Sequence, residues 1–421
     1  MLSFIKKIFV TRPVPRQKPE YYNIICPYCF HKFKPEEVVF RATHTRDDDD
    51  EFMERIDENL SKWRKRFKAD EVYMEAVIDP VTIPDENRIY SEKVLVGVVD
   101  RYGEVTRRRL CPECHNVLPV SAGKVPSNII SVIGASQVGK SVFIASLVHT
   151  LQNKTAVNFD ASCIAMTPEV GNRFNNRFIR PIFENNTMIA TTSVNEQMDP
   201  YIFEFKFKDD NKETLTLVFF DVAGEGMTSR EYLEIQAEHI KNSSGIMFLV
   251  DPLQIRSIRD KIHLKLGTEE QNEFSSKYDE PTMVISGLYE NFIAHQPNSR
   301  TNIPTAVVLT KSDMLHYLKE EDSDYIQPNS NVFRNVVHKE YLNNIEFENI
   351  NGEIGRFLQK VDQSFKSAVD VYFTNKAYFA VSALGSNPKN TELSGVVSPI
   401  RVDEPFIWLL NQLGYIDRRD T

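Results

Sequence analysis

Between residues 128 and 421, uninterrupted apolar runs recur at intervals: Ile129–Ile133 (IISVI), Leu215–Phe220 (LTLVFF), Ile246–Val250 (IMFLV), Ala306–Leu309 (AVVL) and Tyr378–Val381 (YFAV). Runs this short and this apolar predict strands buried on both faces. Tyr201–Phe207 (YIFEFKF) instead alternates, the pattern of a half-buried strand. Helix-like stretches fall between the runs, among them Val142–Gln152, Val332–Phe347 and Ile354–Val371. Strands alternating with helices imply crossover connections and a mainly parallel sheet, an α/β fold. The strands at Tyr201 and Leu215 are separated only by the polar turn Asp209–Glu213, which predicts an antiparallel hairpin at one edge. Nearer the N-terminus, the acidic run Asp47–Glu51 reads as the opening of a helix that ends basic at Lys62–Lys68. That polarity suits the helix dipole, so the charges need no partner.

Three segments emerge: a leader, 1–20, ending in the proline-rich stretch Pro13–Pro19; a module, 21–122; and the alternating region, 125–421. The 421 residues are 41% hydrophobic and 26% charged, with a net charge of -9. An acidic balance excludes a general electrostatic grip on nucleic acid, and a local strip at Lys62–Lys68 or Arg107–Arg109 is the weak remaining signal. No run reaches the roughly 18–20 apolar residues of a membrane span. Met1–Val10 (MLSFIKKIFV) is too short for a secretory signal. A terminal segment packed on its own domain or a partner is the commoner fate of such a sequence than an interfacial membrane helix.

Four of the five cysteines form two Cys-Pro-x-Cys knuckles, Cys26–Cys29 and Cys111–Cys114. Proline after the first cysteine favours a tight turn with both thiolates on one side. Four thiolates make a closed, structural Zn2+ site, so the module reads as zinc-ribbon-like and α+β, with the residues between the knuckles inserted. A redox dithiol competes, but neither pair heads a βαβ unit. Reduced thiols with a metal fit a cytoplasmic protein. Cys163 stands alone and reads as a small core residue.

The richest chemistry follows the first strand. Gly134–Ser141 (GASQVGKS) matches G-x-x-x-x-G-K-[ST] between a predicted strand and a predicted helix. Gly134 and Gly139 let the backbone curl so that N–H groups through Ser136, Gln137, Val138 and Val142 face phosphate oxygens, with the helix start adding positive potential. Lys140 reaches the β- and γ-phosphates and the Ser141 hydroxyl ligates Mg2+. Asp221–Gly224 (DVAG) ends the strand LTLVFF; Asp221 there holds Mg2+ through water and Gly224 offers its N–H to the γ-phosphate. Thr310–Asp313 (TKSD) ends AVVL. The Asp313 carboxylate accepts from N1–H and the exocyclic amine of guanine, a donor pair adenine lacks, while the stem of Lys311 lies across the base. Ser382–Leu384 (SAL) ends YFAV, where the N–H of Ala383 faces the guanine O6.

The series GASQVGKS, DVAG, TKSD and SAL resembles the Ras-like P-loop GTPases of the translation-factor-related (TRAFAC) class, and threonine at the head of TKSD is similar to the Rho-type form. The resemblance covers about 128–416. It implies a three-layer P-loop sandwich, binding of GTP or GDP with Mg2+, and insertions near 155–200, 254–300 and 314–375. With the zinc ribbon in front and Ser398–Tyr415 (SPIRVDEPFIWLLNQLGY) behind, the chain also resembles the bacterial double-GTPase families. Those imply GTPase-associated protein partners in multi-component prokaryotic conflict or defence systems. Glu225 occupies the position of the water-orienting glutamine, and Ser136 and Gln137 replace small glycines, so hydrolysis carried by Lys140, Gly224 and Glu225 is expected to be slow. Thr191 and Thr192 precede YIFEFKF, where a switch threonine ligates Mg2+; Thr192 is the candidate, against an ordinary loop threonine. A slowly cycling GTP switch is the leading expectation. A non-cycling nucleotide-bound scaffold is the second, and a nucleic-acid-responsive GTPase a weaker third.

Overall fold

The computed structural model describes residues 19–66, 69–135, 137–189, 200–209, 212, 214–219, 240–265, 280–318, 326–327, 329–388, 393 and 395–420. The five apolar runs, the alternating segment and one further strand form one seven-stranded sheet. Its strands are β1 (Ile129–Gly134), β2 (Ala161–Ala165), β3 (Tyr201–Phe207), β4 (Leu215–Phe219), β5 (Gly245–Val250), β6 (Thr305–Leu309) and β7 (Lys376–Ala380). Their spatial order is β2-β3-β4-β1-β5-β6-β7. From β4 to β7 every pairing is parallel, and β2-β3 and β3-β4 are antiparallel. Every residue of β4, β5 and β6 is buried, which is why these strands read as unbroken apolar runs. Helix α1 (Lys140–Thr150) follows β1, α2 (Asn344–Val361) and α3 (Gln363–Tyr372) precede β7, and α4 (Glu404–Gln412) follows it.

Four local expectations need correction. The hairpin β3-β4 forms, but β2 pairs outside it and takes the edge. After β2 the chain brings Phe174 and Phe178 edge-on against Tyr201 of the neighbouring strand β3. The stretch Val332–Phe347 is not one helix. It holds a short turn (Asn331–Phe333), an extended segment, a strand (Tyr341–Asn343) paired with Asp417–Arg419, and then α2, capped by the Asn343 side chain. Buried His338 keeps it extended by bonding Glu404 on one side and the Asn343 N–H on the other. The stretch Ile354–Val371 breaks at Asp362, whose carboxylate accepts from the Phe365 N–H and so starts a second helix. The acidic run near Asp48 is no helix start either. Asp48 pairs with Arg46, and Asp49 with Arg101 and Tyr102 some fifty residues on. The helix begins at Glu58, capped by Asp57, and ends at Lys65.

Around the cysteines, small sheets and the helix Glu58–Lys65 share one core that includes Cys26, Cys111, Cys114, Phe40, Trp63 and Val98. Ile129, Ile202 and Val218, from β1, β3 and β4, belong to the same core. Ser121 reaches across to Glu204 on β3. No helix among the described residues is long and apolar enough to cross a membrane.

Candidate functional site

Strand β1 ends at Gly134, and the chain turns at its tip into α1. A side chain at Gly134 would stand 2.7 Å from the Leu249 carbonyl, so only glycine lets the loop leave the sheet here. Gln137 and Gly139 both take left-handed backbone, with φ of 60° and 85°. Gly139 heads α1, so the first free N–H groups of a 11-residue helix open onto the loop. The Lys140 ammonium donates to the carbonyls of Gly134 and Ala135, 3.2 and 2.9 Å away, inside the curl. Ser141 follows on the first turn of α1.

The parallel register carries the neighbouring strand ends to the same edge. Val250 lies opposite Leu309, and Leu309 opposite Ala380. Thr310, one step beyond β6, sends its hydroxyl toward the carbonyls of Val138 and Val250 (3.1 and 3.2 Å), tying the glycine-rich loop to the sheet. The Ser146 hydroxyl on α1 donates to the Ala383 carbonyl (2.7 Å), tying that helix to the loop after β7. Between these braces lies a cavity of about 350 Å3. Gln137, Val138, Gly139 and Val142 line it together with Thr310, Lys311, Asp313, Ala383 and Leu384.

Asp313 is held from behind. The Ser382 hydroxyl donates to its Oδ1 at 2.5 Å and itself accepts the Gly385 N–H at 2.9 Å. Burial raises the Asp313 carboxyl above the usual aspartate range, and the Ser382 hydrogen bond and nearby Lys311 pull the other way. Ser382 therefore stands behind the cavity wall rather than on it. Gly134, Lys140 and Ser141 also lie off the cavity lining, at the base of the loop. Ser136, Thr191, Thr192, Asp221, Gly224 and Glu225 lie outside the described residues, as do Met1–Val10.

A family model described as Double-GTPase 2 matches residues 128–352, more than half of the chain. The chain belongs to the Double-GTPase 2 family. Over 323 residues it is also 24% identical to a Mycolicibacterium smegmatis protein described as a putative ESX-1 scaffolding and assembly protein, SaeC. That match spans 73% of this chain and 80% of the relative. A solved small GTPase, Arl6 (BBS3) of Trypanosoma brucei with the bound nucleotide analogue GppNp, aligns over 68% of this chain and 96% of its own. There the identity is 11% and the TM-score 0.28.

The cavity of this Double-GTPase 2 chain also has walls the sequence motifs do not mark: Met188, Leu253, Asn387 and Pro388. Beside it stands Asp251, 1% exposed, one residue past β5, with its Oδ2 2.5 Å from the Lys311 Nζ. Asp251 has the signature that singled out Asp221, an aspartate ending an apolar strand, so the sequence held a usable signal for it.

The second site of this Double-GTPase 2 chain is the cysteine cluster. All four sulfurs lie within 4.8 Å of one another. Cys26 Sγ is 3.7 Å from Cys114 Sγ, and Cys29 Sγ 3.7 Å from Cys111 Sγ. Thiolates about 2.3 Å from a tetrahedral Zn2+ stand about 3.8 Å apart, so the residues fit that ion. The knuckles repeat one turn. Phe30 N–H meets the Cys26 carbonyl and His115 N–H the Cys111 carbonyl, both at 2.9 Å, with Phe30 and His115 each at positive φ. His115 then bonds Asp57 and Asn59, and His31 stacks on Phe33. Cys163 sits buried on β2, where burial lifts its thiol to about 12 and leaves it a core residue.

Proposed function

We propose that this chain is a cytoplasmic guanine-nucleotide switch that hydrolyses GTP slowly with Mg2+ and signals to protein partners. The observation that carries the reading is the shared cavity, lined both by the loop Gln137–Gly139 and by Asp313, which Ser382 braces. A nucleoside diphosphate needs a base reader and a phosphate cradle on one cavity. On this reading the Asp313 carboxylate accepts from the purine edge, and Ala383 offers its N–H to the guanine oxygen. The loop N–H groups and Lys140 hold the phosphates. Ser141, with Asp221 and Thr192, holds Mg2+, and Gly224 and Glu225 meet the γ-phosphate and the attacking water. Residues 125–421 form the nucleotide unit and 21–122 a zinc-bearing docking module.

A non-cycling scaffold is the second reading. Glu225 at the water-orienting position favours it, and so does the description of the mycobacterial relative as a scaffolding and assembly protein. Either reading gives the chain protein partners in a multi-component system. The nucleic-acid reading is weaker, because the basic strip is partly neutralised: Lys65 pairs with Glu71 and Arg108 with Glu75. The test is binding of GTP against ATP, followed by phosphate release from the bound GTP. Preference for GTP with slow release supports the switch. Preference with no release under any condition leaves the scaffold. Equal binding of ATP overturns both.

A further inference from the structure

The Lys311 side chain is 37% exposed, on a flexible stem that would sweep many conformations if left free. The structure pins it at both ends. Its backbone is left-handed, φ 48°, just beyond the Thr310 brace. Its ammonium meets the buried Asp251 carboxylate at 2.5 Å. Asp251 cannot swing to follow it, because its other oxygen accepts the Leu253 N–H at 2.8 Å and its own N–H faces Gln254 Oε1 at 3.4 Å. Between the two anchors the stem runs past the phosphate loop: a β-carbon on Gly139 would stand 3.7 Å from Lys311 Cε. Among the described residues Lys311 supplies the only ion pair to Asp251. A buried carboxylate is costly without a partner, so each group holds the other in place.

We propose that Asp251 is a positioning residue for the nucleotide: it stretches Lys311 into a fixed apolar wall against which the purine face packs, between the loop and Asp313. The proposal rests on the guanine reading above. It assigns Asp251 no contact with the base. It predicts that Asp251 sets purine affinity without setting which purine is chosen, since the lysine stem meets a ring face and not an edge.

Asp251→Asn keeps an oxygen for the Leu253 N–H and removes the charge. Calorimetry on the full, zinc-loaded chain would use GDP, inosine diphosphate (which lacks the exocyclic amine) and ADP. Asp251→Asn is expected to lower affinity about tenfold for GDP and inosine diphosphate alike. In a Lys311→Met background it should cause no further loss, while restoring the thermal stability that Lys311→Met costs by stranding Asp251. GDP affinity of Asp251→Asn within about twofold of wild type overturns the proposal, as does an equal loss in both backgrounds. Should the single variant not fold, the neutral double variant decides: weak GDP binding equal to that of Lys311→Met supports the proposal, and wild-type binding overturns it. Wild-type protein that does not prefer GDP to ADP sinks the guanine reading as well. A guanine-selective wild type with an unaffected Asp251→Asn sinks this inference alone.

Discussion

At the residue scale, Asp313 is asked to be charged in a place that resists charge. Burial raises its carboxyl, and the Ser382 hydroxyl works against that rise. A raised pKa means the folded chain holds this proton more tightly than the unfolded chain does. The ionised carboxylate therefore costs stability as pH climbs from the ordinary aspartate value through the folded one. Guanine recognition needs the ionised form, so GDP affinity should be full above the folded pKa and fall as pH drops through it, earlier than for an ordinary aspartate. Ser382→Ala removes the counterweight, and the acid limb of the affinity profile should move to higher pH. Calorimetric GDP titrations across pH check this; an unmoved limb in Ser382→Ala would contradict it.

At the scale of elements, the return to α4 is held by a buried charge cluster. Arg401 pairs with Glu404 through two hydrogen bonds of 2.6 and 2.7 Å, and His338 meets the same carboxylate at 3.0 Å. Arg401 also donates to the carbonyls of Asn331 and Arg334, fastening the stretch before α2 to the C-terminal helix. Glu404→Ala strands a fully buried guanidinium and should cost about 3–5 kcal/mol in denaturant unfolding; a loss under about 1 kcal/mol would refute that role. Such long-range clasps explain what the sequence hid. Strands β1, β4, β5 and β6 were legible because burial on both faces writes an apolar run into the chain itself. GASQVGKS was legible because its geometry is local, two glycines and a helix start. The segment around His338 reads as helix in the sequence, but Glu404, 66 residues away, decides its extended shape. Strand β2 is not legible, because ASCIA carries no run or alternation long enough to read. Asp48 and Asp49 looked like a helix start because Arg101 and Tyr102 lie far along the chain.

At the scale of the whole molecule, the cysteine-bearing core and the seven-stranded sheet are not independent. Ile129, Ile202 and Val218 leave the outer face of β1, β3 and β4 to join the core that holds Cys26, Cys111 and Cys114. Stripping zinc should therefore loosen more than the knuckles. Exposure of those three side chains alone predicts a fall of about 10 °C in the unfolding of the nucleotide unit. Calorimetric melting with and without a chelator, with zinc content measured by mass, checks it; an unchanged upper transition after zinc loss would show that the two cores are uncoupled. All of this turns on whether Asp313 reads the edge of a purine. Asn at that position offers a donor where Asp offers only acceptors, and xanthine carries a carbonyl where guanine carries an amine. Titration of wild type and Asp313→Asn with guanosine and xanthosine diphosphates is the most direct measurement. The account predicts that Asp313→Asn loses GDP by at least about tenfold and gains xanthosine diphosphate; unchanged GDP binding in Asp313→Asn would contradict it.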